Sequence, residues 1–241
     1  MQATERDLAR VAGIADEHRR IFAAMLTSLD DSTGVLLAAL REHKLDTNTL
    51  VFFLSDNGGP TAELTSGNGP LRGGKGQLYE GGIRVPFFAM WPGCIPAGKV
   101  FTAPVSSLDI AATVLAAAGV KDSNGLDGVN LLPHLTGETT APHDYLAWRF
   151  GPQKALRRGQ WKLVDWRDFE TKQNSGWQLY DLSQDIGEKN NLAAMRPELV
   201  AQLSREWDQW NTHNIALLWH GSPTEDPTAP ARAVPGKAKG K

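Results

Sequence analysis

The sequence holds a single cysteine, Cys94, among 241 residues. An internal disulfide and any cysteine-built metal cluster are therefore excluded, and redox compartment cannot be read from cysteine usage. Charge of one sign is also missing: 25 Lys and Arg stand against 27 Asp and Glu, a net charge of −2 that gives no pull toward nucleic acid or an anionic membrane. No uninterrupted apolar run reaches the 18 or so residues of a membrane span, so none is expected. Residues 1–10 are polar and charged, with no apolar centre and hence no visible signal peptide; localisation stays unassigned.

What is present centres on residues 50–86. Leu50, Val51, Phe52, Phe53 and Leu54 form an apolar run, expected as a strand covered on both faces inside a parallel or mixed sheet. Ser55, Asp56, Asn57, Gly58 and Gly59 end it, and the carboxyl end of a strand is where α/β sheets place ligands. A carboxylate beside a carboxamide offers hard oxygens suited to Ca²⁺ or Mg²⁺; taken alone, Asp-Asn-Gly also reads as a turn closing a strand. Gly73, Gly74, Gly76, Gly81 and Gly82 then surround Lys75. Backbone can approach a ligand closely there, and an ammonium in such a loop is a compact charge for a tetrahedral oxyanion. Glu80 and Arg84 are expected to pair and brace the loop, and residues 85–91 to form another strand.

The string Ser-Asp-Asn-Gly, Leu-Arg-Gly-Gly-Lys-Gly, Tyr-Glu-Gly-Gly-Ile-Arg-Val-Pro and Trp-Pro-Gly resembles the C-terminal half of a type-I sulfatase of the alkaline phosphatase superfamily, in the arylsulfatase or N-acetylgalactosamine-6-sulfatase style. Weaker similarity runs from about residue 17 to about residue 210. The resemblance implies that Asp56 and Asn57 are two ligands of the family's divalent cation, usually calcium, and that Lys75 contacts the sulfate near the leaving oxygen. It also implies a sulfate ester substrate, on a glycan or an aryl group, and a family that is often periplasmic or secreted. The family's paired aspartates and its Cys-x-Pro-x-Arg motif, source of the formylglycine nucleophile, have no counterpart in this sequence. The chain therefore corresponds to roughly the second half of such an enzyme. Alone, it is expected to bind calcium weakly and to turn over nothing.

Two imitations fail on chemistry. Cys94 begins Cys-Ile-Pro-Ala, but Gly98 stands where the arginine belongs. Asp30 and Asp31 are adjacent on a helix, where neighbours diverge by about 100° and do not clasp one ion. Two alternatives stay open: a non-catalytic fragment that binds sulfated glycans, and a phosphate or phosphonate ester hydrolase of the same superfamily.

The expected fold is α/β, a partial alkaline-phosphatase-like mixed sheet flanked by helices, then a small antiparallel sheet with one packed helix. Residues 1–142 belong to the catalytic domain, 143–218 to a C-terminal subdomain and 219–241 to a disordered tail. Residues 17–43 read as one amphipathic helix through Ile21, Phe22, Met25, Leu26, Leu29, Leu36 and Leu40. His18 and His43, near its ends, are expected in solvent, as is His134. Residues 60–70 are a loop over the site, in which nothing singles out Asn68 for substrate contact. Ser106 is the expected N-cap of a helix ended by Gly119. Segments 143–150, 154–166 and 177–182 read as three strands with a turn at residues 158–160, and Leu199, Leu203, Trp207 and Trp210 as one helical stripe. Trp148, Trp161, Trp166, Trp177 and Tyr180 fill a core or form a sugar platform; the resemblance favours the core. Lys154 with Arg157 or Arg158 remain candidates for facing an anionic substrate.

Overall fold

A computed structural model describes residues 1–61, 65–120, 125–137, 141–167 and 173–216. The expected tail, 219–241, lies outside them. The chain divides into two compact units, Met1–Leu146 and Ala147–Lys241.

In the first unit, a short helix α1 (Glu5–Arg10) precedes the long α2 (Glu17–Glu42). Asp16 caps α2, its carboxylate accepting from Arg19 N–H at 2.7 Å. Asp31, the false metal ligand, instead accepts from Arg6 at 2.7 Å and Arg10 at 2.5 Å, and the Arg10 bond holds its carboxyl below the usual carboxylate range. Among the described helices α2 is the one long and apolar enough, by length and composition, to cross a membrane. Asp30 and Asp31 fall in its middle, where each charge would cost about 3 kcal/mol in a bilayer.

Strands β1 (Val51–Leu54) and β2 (Phe87–Met90) pair antiparallel, Phe53 opposite Phe88. This corrects the expectation of a strand covered on both faces: Phe53 and Phe88 are both exposed. An apolar run records that a strand wants cover; it does not say how many neighbours lie beside it. Between the two strands sits one turn of helix, α3 (Glu80–Ile83).

Helix α4 (Asp109–Ala117) starts three residues after Ser106, although the expected reciprocal bonds form. Ser106 N–H donates to the Asp109 carboxylate at 2.7 Å, and Leu108 N–H to Ser106 Oγ at 3.2 Å. Gly119 ends α4 at φ 77°. Next comes α5 (Leu132–Thr136). Its His134 is half-buried beside Phe101 rather than solvated.

The second unit is a sheet of four strands, not three: β3 (Leu146–Phe150), β4 (Gln153–Arg158), β5 (Trp161–Arg167) and β6 (Asn174–Asp181), in sequential order. The expected turn at residues 158–160 splits one predicted segment in two. Helix α6 (Pro197–Asn211) packs Leu203 and Trp207 against Leu156, Leu163 and Leu179, all fully or almost fully buried. Trp207 Nε1 donates to Trp148 O at 3.0 Å, giving the buried indole its partner.

Candidate functional site

The site is built where β1 ends. Ser55 N–H donates to Pro86 O at 3.2 Å and its hydroxyl to Asn57 O at 2.8 Å, which folds the chain sharply after Leu54. Asp56 uses one carboxylate oxygen to accept Asn57 N–H at 2.9 Å, and Asn57 Nδ2 donates to Gly58 O at 2.9 Å. The second Asp56 oxygen and the Asn57 side-chain oxygen have no hydrogen-bond partner among the described residues. Asp56 is exposed and Asn57 half-buried. Two hard oxygens are thus unspent at one strand end.

Lys75 is brought to this place by backbone. Gly58 N–H donates to Gly82 O at 2.9 Å, Gly81 N–H to Arg72 O at 2.7 Å, and Lys75 N–H to Gly59 O at 3.4 Å. The approach is so close that a Cβ on Gly58 would lie 1.6 Å from Gly81 O. Only glycine permits this crossing. The Lys75 side chain is exposed, and its ammonium makes no bond or ion pair among the described residues.

Under the loop, Glu80 is almost fully buried and pairs with Arg84 at 3.8 Å, as expected, and the Arg72 guanidinium lies 4.0 Å over the Tyr79 ring. Asn68 is not left free for a substrate: its carboxamide bonds Gly59 and Gly73.

Other candidates fall away. Cys94 is exposed in a turn, its N–H donating to Trp91 O. Lys154 sits 5.0 Å from the Trp207 ring and 5.8 Å from Trp177, and Arg158 pairs with Glu206 at 2.9 Å. These cations and indoles are engaged within their own unit, which favours the packed core over a sugar platform. His18 and His43 are exposed. Among the described residues no group of three or more His, Cys, Asp and Glu is placed to hold a metal. Calcium takes six to eight oxygens, so Asp56 and Asn57 suit part of such a shell by donor chemistry and do not complete one.

One buried contact, between Asp109 and His143, carried no signal in the sequence. His143 Nε2 lies 2.9 Å from the fully buried Asp109 carboxylate, which also accepts from Ser106 N–H and Val129 N–H. Burial pushes that carboxyl up, but the bonds to His143 and the two amides outweigh it, and the net shift is downward.

A carboxylate and a carboxamide at a strand end, joined by backbone to a glycine loop with one exposed ammonium, are groups whose chemistry suits an oxyanion ester at a cation. Comparison gives the family. The family model described as Sulfatase matches residues 2–120, and that described as N-sulphoglucosamine sulphohydrolase, C-terminal, matches residues 74–212. The chain belongs to the sulfatase family. It is 34% identical to arylsulfatase A of Homo sapiens over 215 residues, covering 76% of this chain and 42% of that protein. Against N-acetylgalactosamine-6-sulfatase of Homo sapiens it is 34% identical over 235 residues, covering 85% and 45%. The crystal structure of Ps i-CgsB in complex with k-i-k-neocarrahexaose superposes with TM-score 0.81 at 35% identity, over 93% of this chain and 50% of that one. A further match is BT4656 in complex with its substrate D-glucosamine-2-N,6-O-disulfate, at TM-score 0.65 and 25% identity, over 80% and 40%. The chain thus spans half or less of the length of each of these relatives.

Proposed function

We propose that this chain carries the cation- and sulfate-contacting portion of a sulfuric ester hydrolase. Asp56 and Asn57 hold the family's divalent cation, calcium or else magnesium, through their side-chain oxygens, and Lys75 places its ammonium on a sulfate oxygen. The observation that supports this most is the joining of the strand end to the lysine loop through Gly59 and Lys75, with one Asp56 carboxylate oxygen, the Asn57 side-chain oxygen and the Lys75 ammonium without partners among the described residues. When bound, the cation draws charge off the sulfate oxygens. Lys75 adds a fixed positive charge where negative charge develops, a contact typically worth about 3 kcal/mol in the transition state. Given the relatives' sugar sulfates, the substrate class is a sulfate ester on a sugar.

The formylglycine nucleophile is absent from this sequence, so turnover is expected only from the chain joined to, or mixed with, a sulfatase first half. Uncovered apolar side chains of the first unit support that reading: Leu29 is 52% exposed, Leu36 68% and Phe88 63%. The test is hydrolysis of 4-nitrophenyl sulfate in calcium, by the chain alone and fused behind the first half of arylsulfatase A. Turnover by the fusion, lost with Asp56→Ala or Lys75→Ala, is expected, with none by the chain alone. Calcium-dependent turnover by the chain alone, or a fusion indifferent to both substitutions, would defeat the proposal.

A further inference from the structure

Asn68 spends its whole carboxamide on backbone. Its Oδ1 accepts Gly59 N–H at 2.9 Å, while Nδ2 donates to Gly59 O at 2.9 Å and to Gly73 O at 2.9 Å. One side chain therefore satisfies both polar groups of Gly59, three residues after Asp56, and ties them to the glycine two residues before Lys75. Its own carbonyl accepts Leu71 N–H at 2.9 Å, so the anchor is itself held. A further link between these two segments is the long Lys75 N–H to Gly59 O bond of 3.4 Å.

We infer that Asn68 is a positioning residue that sets the distance between the cation ligands and the Lys75 ammonium. The inference rests on the roles proposed above for Asp56, Asn57 and Lys75. The chemistry demands an amide: one acceptor toward an N–H and two donors toward two carbonyls. Aspartate has the same shape but no donor when ionised, and would set negative charge against the Gly59 and Gly73 carbonyl oxygens. Alanine would leave Gly59 and Gly73 without these partners and the loop free to drift. A drift of about 1 Å in a supporting residue is enough to cost about 100-fold in rate.

The experiment has two arms. In the fusion described above, kcat/KM for 4-nitrophenyl sulfate is measured for Asn68→Ala, Lys75→Ala and the double substitution. Asn68→Ala is expected to lower it about 10- to 100-fold, as outer-shell losses typically do. In the Lys75→Ala background the same change should cost less than about 3-fold, because its effect travels through the lysine. Asn68→Asp should be as poor as alanine at neutral pH and regain activity in acid, relative to the parent, as the introduced carboxyl takes up a proton and can donate again. In the second arm, hydrogen exchange on the chain itself is followed by NMR. Asn68→Ala should speed exchange at the Gly59 and Lys75 amides at least about tenfold and leave Leu163 in β5 unchanged. Equal losses with and without Lys75, or unaltered exchange at both amides, would overturn the inference. If the parent fusion proves inactive, the proposed function fails and the exchange arm alone decides Asn68.

Discussion

Gly58 makes the tightest steric demand among the described glycines. A methyl group there would stand 1.6 Å from Gly81 O, and that atom is backbone and cannot swing aside. Gly58→Ala should therefore lower stability by about 3 kcal/mol, read from the urea midpoint of the first unit. A second residue-scale prediction concerns acid. The Asp109 carboxyl is held below its ordinary value of about 4, so the unfolded chain takes up its proton first as pH falls. Its contribution is complete above about pH 4 and is lost as pH drops through the lower folded-state value. Asp109→Asn should remove that part of the acid sensitivity and cost about 1–3 kcal/mol at pH 7, by thermal melts across pH. Asp56, Asn57 and Lys75 stand out as candidates in the sequence because of their residue types at a strand end and in a glycine loop, and the family resemblance supplies the roles proposed for them. The pairing of Asp109 with His143 is not legible: 34 positions separate them, and the Ser106-to-Asp109 capping pattern says nothing of a distant histidine. The bonds of Asn68 are equally illegible, because an asparagine in a polar loop looks like its neighbours until the loop is closed.

Among the elements, α2 and α6 are both amphipathic but differ in cover. On α6, Leu203 is fully buried, and Leu203→Ala should cost about 2–5 kcal/mol. On α2, Leu36 is 68% exposed and only Ala24 is buried. Leu36→Asp should therefore change the chain's own stability by less than about 0.5 kcal/mol in chemical denaturation, yet weaken any association through that face. Helical period made both helices legible, with Pro197 marking the first turn of α6, since each signal lies within a few residues. Strand number was less legible: the 154–166 segment holds its turn inside an otherwise strand-like run, at Gly159 with φ 55°. The cover over β1 was not legible at all, because neighbours in a sheet come from distant parts of a chain.

For the whole molecule, the sulfatase resemblance was carried by order and spacing across several motifs, and both family models agree with it. The division into two units follows a shift from long helices and glycine loops to short strands rich in tryptophan. What the sequence could not state is how much apolar surface stays open on the first unit, since exposure belongs to the folded arrangement. Fusion to a sulfatase first half should cover that surface. Binding of the dye ANS per chain is expected to fall on fusion, and an unchanged signal would count against the uncovered residues of α2, β1 and β2 being the seat of the added half. The placement of three side chains around one ion and one sulfate carries the account. It is tested most directly by a crystal structure of the fusion with calcium and inorganic sulfate. The account predicts Asp56 and Asn57 oxygens bound to the ion and the Lys75 ammonium on a sulfate oxygen. Calcium held entirely by other residues, or Lys75 turned away from the anion, would contradict it.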